Sequence, residues 1–134
     1  MNVQAVDIGH VHRLWPLVES YIAAALDHAK GDYTVDQAKT LVATGQWMLV
    51  VAVDEQGIHG AATVNMFNRP DDRVAFVTAI GGKLVGNAET FEQFKRLLAN
   101  FGATYVEGAA RESIARLWRR IGFEEKYRIV GVKI

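Results

Sequence analysis

The sequence contains no cysteine among its 134 residues. This absence excludes disulfides, thiolate metal ligands and a cysteine nucleophile, and it fits an intracellular protein. Neither sign of charge is in excess, since 15 Lys and Arg balance 15 Asp and Glu; a dedicated nucleic-acid binder normally carries a basic excess. No apolar run approaches the ~20 residues of a membrane span, and the N-terminus lacks a signal-like segment. We therefore expect a cytoplasmic protein with no membrane partner.

The composition that is present is ordinary for a globular protein. Half of the residues are apolar and 22% are charged, as in soluble domains generally. A chain of this length buries roughly two thirds of its unfolded surface as one core. No linker, repeat or low-complexity segment interrupts it, so we expect a single domain spanning residues 1–134.

The N-terminal third predicts one short strand and two helices. Val3–Val6 fits a strand, and Asp7 fits a cap before an apolar stripe with helical spacing. That stripe comprises Ile8, Val11, Trp15, Val18, Ile22 and Ala25. Pro16 cannot donate an i−4 hydrogen bond, so we expect a short turn to about His12 and a main helix with Pro16 in its first turn, ending near Ala29. Thr34–Gln37 predicts a capping box for a short second helix that stops at Gly45.

The middle of the chain predicts an antiparallel meander of three strands. Trp47–Val53 is almost wholly apolar, which is typical of a strand covered on both faces. A turn at Asp54–Gly57 leads to a second strand at Ile58–Phe67, and the polar loop Asn68–Asp72 leads to a third at Arg73–Ile80.

The last third predicts alternating helices and strands. After a glycine-interrupted turn comes a helix with an apolar stripe at Phe91, Phe94, Leu97, Leu98 and Phe101. Thr104–Ala109 fits a strand, and a strand–helix–strand unit usually pairs its strands in parallel. A helix at about Glu112–Ile121 and a closing strand at Glu124–Ile134 complete the α/β pattern of a mixed sheet flanked by about four helices.

This order of elements resembles the GCN5-related N-acetyltransferase fold over nearly the whole chain. That family usually has two final strands where this sequence predicts one. The phrases LWPLVESYI, GQWMLVVAV and LWRRIGFEE are similar to small acetyltransferase-like proteins encoded by tailed bacteriophages. The resemblance implies acetyl-CoA as co-substrate and an amine, on a small molecule or a protein, as acceptor. For a phage protein the location would be the host cytoplasm.

The resemblance also implies a cofactor loop. The family's pyrophosphate motif begins with Arg or Gln and ends in Gly, one residue, and Gly or Ala; here Lys83 to Ala88 fits it, with lysine first. A helix start offers free amides to an anion, so Lys83, Gly86, Asn87 and Ala88 are the predicted diphosphate contacts. The alternative is that Asn87 is only a helix cap and Glu89 only a first-turn acid.

The strand before this loop corresponds to the one whose backbone contacts the pantetheine arm in the family. The matching positions are Ala79, Ile80 and Gly81. The alternative is a glycine bulge at Gly81-Gly82 that simply ends strand pairing.

The catalytic residues usual in the family are missing. The position of the usual proton-donating tyrosine falls on Trp118, whose indole is not a useful acid. The asparagine that often opens that helix corresponds to Arg111, and the third strand carries no carboxylate. Trp118 is most simply a core residue facing Leu97 and Leu98.

Two other residues are candidates for catalysis. Glu107 lies in a small, apolar strand on the same face as Tyr105, and partial burial there would raise its pKa and suit it as a base; pairing with a nearby Lys or Arg is the alternative. Tyr127 could supply a proton, although strand tyrosines are usually packing residues. The four histidines have no metal-ligand spacing, so no metal site is expected; they are His10, His12, His28 and His59.

The sequence thus leaves three functions open. An acetyl-CoA-dependent N-acetyltransferase that transfers its acetyl group directly to an amine leads. A catalytically degenerate phage protein that serves as a binding or structural module is the alternative. Nucleic-acid or host-protein binding through Arg116 and Arg120, which share a helical face, is weaker, because a solvated face paired with Glu112, Glu124 and Glu125 explains them as well. A homodimer stays open.

Overall fold

A computed structural model describes residues 1–29 and 31–134, which form one five-stranded sheet with helices on both faces. The strands, in both chain and sheet order, are β1 (Asn2–Ala5), β2 (Met48–Asp54), β3 (Gly57–Asn68), β4 (Arg73–Gly82) and β5 (Tyr105–Gly108). The helices of the described residues are α1 (Ile8–Leu26), α2 (Val35–Ala43), α3 (Lys83–Gly86), α4 (Ala88–Asn100) and α5 (Glu112–Arg119). The pairs from β1 to β4 are antiparallel, and β4 and β5 are parallel. The predicted mixed sheet is confirmed.

Each face of the sheet has its own apolar core. On one face α1 and α2 pack through Val11, Trp15, Val18, Ile22 and Val42 against inward residues of β2 and β3. On the other, α3 and α4 pack through Leu84, Phe91, Phe94 and Leu98. Because β2 lies between these layers, its residues from Leu49 to Ala52 are all buried. Burial on both faces explains why β2 is a continuous apolar run in the sequence.

The first helix differs from the prediction at its proline. We expected a break after His12, but α1 runs without interruption from Ile8 to Leu26 with Pro16 inside it. Pro16 faces solvent, whereas Trp15 and Val18 on either side of it are buried. Water can therefore reach the carbonyl that lacks a donor, while burial of the apolar stripe holds the two halves in one helix.

The second helix begins as predicted. The Thr34 side chain accepts a hydrogen bond from the Gln37 amide (3.1 Å), and the Gln37 side chain accepts one from the Thr34 amide (2.9 Å). The capping box is confirmed. The helix ends at Ala43, and Gly45 follows in a left-handed conformation, with φ of 81°.

The closing strand predicted at Glu124–Ile134 is wrong. These residues follow α5 as an irregular segment that pairs with no strand of the described chain. Their apolar residues are exposed, including Ile129, Val130, Val132 and Ile134. A β-strand is stable only when it pairs with another strand, and no strand of the described residues pairs with this segment.

A bulge in β4 changes which face its residues occupy. Thr63 aligns with Ala79 and Val64 with Val77, so Thr78 is an extra residue on β4. Its hydroxyl donates to the Thr63 carbonyl at 3.0 Å. Before the bulge Val77 faces the α4 core, and after it Ala79 faces the α1 core. The bulge therefore lies at Thr78. The alternative prediction of a glycine bulge at Gly81-Gly82 that ends strand pairing is wrong.

Gly81 and Gly82 lie within the pairing of β3 and β4, opposite Ala61 and Gly60. Gly81 lies where the backbone of α1 crosses, and Gly82 lies against the backbone of β3. A Cβ at Gly81 would lie 2.9 Å from the Tyr21 carbonyl oxygen, and one at Gly82, which has a φ of 68°, would meet the backbone of β3.

Gly81→Ala is predicted to lower the free energy of unfolding by about 1–3 kcal/mol, because neither backbone can yield to the added methyl group. Denaturant unfolding measures it. Gly9→Ala is the control, since nothing lies within 4 Å of a Cβ there, and it should leave stability unchanged or raise it by up to about 1 kcal/mol. Equal effects of the two substitutions would show that the crossing of α1 over β4 is looser than described.

Candidate functional site

The pairing of β4 with β5 ends at the level of the bulge, where β5 itself ends. Their parallel pairing covers only four residue pairs and ends at Val77 and Gly108. Strand β4 continues to Gly82, so the predicted pantetheine contacts Ala79, Ile80 and Gly81 lie beyond the last β5 pair. Among residues 1–29 and 31–134, no strand pairs with this stretch on the side that faces β5. That these three positions contact a pantetheine arm stays a prediction.

The predicted diphosphate loop follows directly, as one turn of helix. Lys83, Gly86, Asn87 and Ala88 are all exposed, and only Leu84 between them is buried. A Cβ at Gly86 would have nothing within 4 Å. The described atoms thus leave the outer side of this turn open.

At the start of α4, one of the free backbone amides is capped by a side chain and two others have no acceptor within the helix. The Asn87 side chain accepts a hydrogen bond from the Thr90 amide at 3.0 Å, so the predicted capping role of Asn87 is confirmed. The amides of Ala88 and Glu89, at the first two helical positions, have no acceptor within α4. A helix N-terminus with exposed amides favours an anion. The negatively charged Glu89 carboxylate, in the first turn of α4, would partly repel an anion at this helix start.

Glu107 lies on β5, opposite Phe76 of β4, one residue before the last pair of the two strands. Arg69 donates two hydrogen bonds to its carboxylate, at 2.6 and 2.7 Å, and Lys126 donates a third at 3.3 Å. The side chain of Glu107 is only 13% exposed. The expected pairing with a nearby Arg or Lys is therefore confirmed, with two cations.

The expectation that burial raises the pKa of Glu107 is wrong. The hydrogen bonds from Arg69 lower this pKa below its ordinary 4.5, and Lys126 lowers it further; partial burial acts in the opposite direction and is outweighed. The carboxylate is ionised at neutral pH and a weaker proton acceptor than a free glutamate. Its use as a base stays a prediction.

Tyr127 shares a neighbour with Glu107. The ammonium group of Lys126 lies 5.6 Å from the centre of the Tyr127 ring and 4.8 Å from that of Tyr105. The structure thus brings both predicted catalytic residues beside one lysine. Tyr127 is 63% exposed and lies on the irregular C-terminal segment, outside any strand.

Trp118 is a core residue, as its simplest interpretation predicted. It is 4% exposed and stacks on Phe123, with ring centroids 4.8 Å apart. A Cβ at Gly108 would lie 3.0 Å from its ring. Its indole nitrogen is buried with no hydrogen-bond partner among the described residues. Trp118 therefore fills the space beside β5 where the family resemblance implied a tyrosine.

The remaining charged candidates are scattered. Within residues 1–29 and 31–134 no three histidine or acidic side chains are grouped to hold a metal ion. His59 Nε2 lies 2.6 Å from Asp54 Oδ1, and this contact lowers the pKa of Asp54. On α5, Arg119 pairs with Glu112 at 2.8 Å; for Arg116 and Arg120 the described residues provide no ion-pair partner.

Sequence reasoning missed Arg69 and Lys126 as members of the site. Arg69 belongs to the polar loop between β3 and β4, where its amide donates to Asp72 at 2.8 Å and its guanidinium lies 5.1 Å from the Phe67 ring centre. The one signal in the sequence is a lone glutamate in an apolar strand, which needs a cation. Nothing in the local pattern says which of the fifteen Lys and Arg supplies it.

A separate cleft of about 690 Å³ lies at the opposite end of the sheet from the exposed turn. It lies between the starts of α1, β2 and β4 and the ends of α2, β1 and α4, and is lined by residues including Val6, Trp47, Met66, Arg73 and Phe101. Because β4 runs away from this end toward Gly82, the cleft is not part of the candidate cofactor site.

No model of a protein family matches the sequence, and no curated protein matches it. Solved structures do. A probable acetyltransferase is 12% identical with a TM-score of 0.71 over 100% of this chain and 98% of that chain. A ribosomal-protein-alanine N-acetyltransferase from Brucella melitensis biovar Abortus 2308 is 12% identical with a TM-score of 0.68 over 100% of both chains. An aminoglycoside acetyltransferase from an uncultured soil metagenomic sample, in complex with sisomicin, is 10% identical with a TM-score of 0.70 over 99% of this chain and 94% of that chain.

These similarities establish the fold, which is that of the GCN5-related N-acetyltransferases. At identities of 10–12% they establish the fold alone. In residues 1–29 and 31–134, no helix combines the length and the apolar character needed to cross a bilayer.

Glu107→Gln is predicted to lower stability by about 1–2 kcal/mol at pH 7, because it removes the charge from hydrogen bonds to two partly exposed cations. The folded pKa of Glu107 is lowered, so the stabilisation is present above pH 4.5 and is lost as pH falls through the folded value. Denaturant unfolding from pH 7 to pH 3 should show the two proteins converging at the acid end.

Glu112→Gln is the matched control, since Glu112 pairs with Arg119 on an exposed helix face, where solvent screens the pair, and it should change stability much less than Glu107→Gln does. If the difference between wild type and Glu107→Gln stays constant with pH, the carboxylate is not held by Arg69 and Lys126 as described.

Proposed function

We propose that this protein is an acetyl-CoA-dependent N-acetyltransferase that passes the acetyl group directly to an amine in the cytoplasm. One observation carries the proposal: β4 extends past the last β5 pair at Val77 and leads straight into the exposed turn at Lys83–Gly86. A stretch of strand without a partner on one side, followed by an open helix start, suits an extended ligand with a diphosphate at one end. The acetyltransferase fold supports the same assignment.

The residues present fit such a co-substrate at its two polar parts. Ala79, Ile80 and Gly81 would hold the amide-bearing arm through backbone groups that β5 leaves unpaired. Ala88 and the open side of Gly86 would hold the diphosphate, with Asn87 fixing the start of α4 and Lys83 adding a point charge. Acetyl-CoA supplies a thioester carbonyl that an unprotonated amine can attack, with release of the thiol.

Two proton transfers are then required of the protein. The attacking amine must lose a proton, for which Glu107 is our candidate acceptor, directly or through water. The departing sulfur must gain one, for which Tyr127 is our candidate donor. Because Arg69 and Lys126 lower the pKa of Glu107, the carboxylate would accept a proton only when an incoming amine loosens one of these contacts. The acceptor class is an amine on a small molecule or a protein.

A specific observation favours a second candidate, a phage protein that keeps the fold as a binding or structural module. Trp118 lies stacked in the core at the usual proton-donor position, and both oxygens of Glu107 are engaged by Arg69. A site that has no free base or acid can still bind a ligand, even though it transfers no group.

Gly86→Glu is predicted to weaken acetyl-CoA binding about tenfold or more, which is ~1.4 kcal/mol, because it places a carboxylate against the diphosphate. Isothermal calorimetry measures the affinity. Gly131→Glu makes the same change on the C-terminal segment, where nothing lies within 4 Å of a Cβ, and should bind as the wild type does. The proposal fails if acetyl-CoA gives wild type neither heat nor a rise in melting temperature.

Release of free thiol from acetyl-CoA with a panel of amines tests transfer separately from binding. We expect amine-dependent release that falls about 100-fold or more in Glu107→Gln and in Tyr127→Phe, with acetyl-CoA affinity unchanged. Lys95→Gln, an exposed change on α4 away from these residues, is the control. Tight binding with no release by any amine would favour the binding module.

A further inference from the structure

The cleft of about 690 Å³ at the end of the sheet opposite the candidate cofactor site has no part in the proposed acetyl transfer. Its volume lies within the range of about 300–1,000 Å³ that is usual for small-molecule sites. Among the described residues that line it, Asp7, Gln46 and Arg73 carry the polar side chains, and the rest are apolar or glycine. A mostly apolar lining with a few polar groups is the usual composition of a ligand site.

Part of this lining belongs to the protein core and part of it is exposed. Val11, Val42 and Trp47 are at most 6% exposed, whereas Ile8 and Phe101 are 56% and 54% exposed. Covering exposed apolar side chains lowers the free energy. An apolar ligand in the cleft would therefore contact core residues and remove Ile8 and Phe101 from water.

The two charged residues of the cleft lie at its opposite ends. Asp7 follows β1 and Arg73 begins β4, and β2 and β3 lie between these strands in the sheet. Neighbouring strands are about 4.8 Å apart, so the two ends are separated by roughly 14 Å. The Asp7 side chain makes no capping hydrogen bond to α1, and its carboxylate would repel an anion. A negatively charged ligand group is therefore favoured only at the Arg73 end.

Arg73 is held in place by its backbone, while its side chain is largely unused. Its amide donates to the Thr104 hydroxyl and its carbonyl accepts from the Thr104 amide, each at 2.9 Å. The guanidinium donates to Asn68 Oδ1 at 3.2 Å, and within residues 1–29 and 31–134 no carboxylate forms an ion pair with it. The neighbouring Asp72 carboxylate accepts from the Thr104 hydroxyl instead. A guanidinium has five N–H donors and matches a carboxylate through two of them.

We propose that this cleft binds a linear apolar carboxylate, of which a medium-chain fatty acid is the simplest example. The carboxylate pairs with Arg73, and the chain extends past Met66 and Trp47 toward β1. Met48 and Met66 line the path with flexible side chains that adapt to an apolar chain. The site requires no acetyl-CoA, and it stands or falls independently of the proposed acetyl transfer.

Isothermal calorimetry with decanoate and decan-1-ol tests the role of Arg73. Wild type should bind decanoate about fivefold or more tightly than decan-1-ol, because only the acid pairs with the guanidinium. Arg73→Gln should remove this preference by weakening decanoate and leaving decan-1-ol unchanged. Arg96→Gln, at an exposed arginine of α4 that does not line the cleft, should bind as wild type does. The absence of decanoate binding by wild type, or a preference that survives in Arg73→Gln, overturns the proposal.

Phe101→Ser tests the apolar part of the site separately from the charge. It should weaken decanoate and decan-1-ol alike, by about threefold or more, because both chains lose the same apolar contact. Leu17→Ser makes the same kind of change at a residue of α1 that is 59% exposed and does not line the cleft, and it should change neither affinity. If Phe101→Ser instead leaves both affinities unchanged and alters the sedimentation of the protein, the exposed residues cover a second copy of the chain and the ligand proposal is wrong.

Discussion

The candidate cofactor site depends on the unequal pairing of β4. On one side it pairs with β3 from Arg73 to Gly82, and on the other it pairs with β5 only as far as Val77. The bulge at Thr78 lies at the boundary, and the Thr78 hydroxyl donates to the Thr63 carbonyl. A bulge increases local twist, yet β4 stays paired with β3 as far as Gly82. The part of β4 beyond the bulge is thus paired on one side only.

The close crossing of α1 fixes the far half of β4 in place. Ala79 and Gly81 face α1 because the bulge reverses their orientation, and Gly81 has no side chain at the point where the Tyr21 backbone passes. The same half of the strand then leads into α3 and the start of α4, where Lys83, Gly86 and Ala88 are exposed. Packing on one face of the sheet thus sets the position of a candidate anion site at its edge.

Around β5, the ion pairs that order the structure also lower the pKa of the candidate base, Glu107. The Arg69–Glu107–Lys126 cluster ties the β3–β4 loop and the start of the C-terminal segment to β5, and Trp118 with Phe123 closes the other side. Charged hydrogen bonds of this kind order loops. The same bonds lower the pKa of Glu107 and so reduce its strength as a base. The contacts that order this region therefore lower the proton affinity of Glu107.

Several parts of this protein were determined by the sequence alone, because their signals are local. The capping box at Thr34–Gln37, the apolar run of β2 and the three-strand meander are set by residues within a few positions of one another. Their bounds could be predicted within a few residues. The exposed turn after β4 and the cap at Asn87 could be placed for the same reason.

Only the tertiary structure decided the rest, because the decisive partners are distant in sequence. Burial of the residues that flank Pro16 kept α1 whole against its local signal. The cation beside Glu107 came from Arg69, 38 residues away, and it reversed the expected direction of the pKa shift. In the part of the chain that the structure describes, the last strand-like segment pairs with no strand, since hydrogen-bonded pairing depends on two strands and cannot be predicted from the sequence of one.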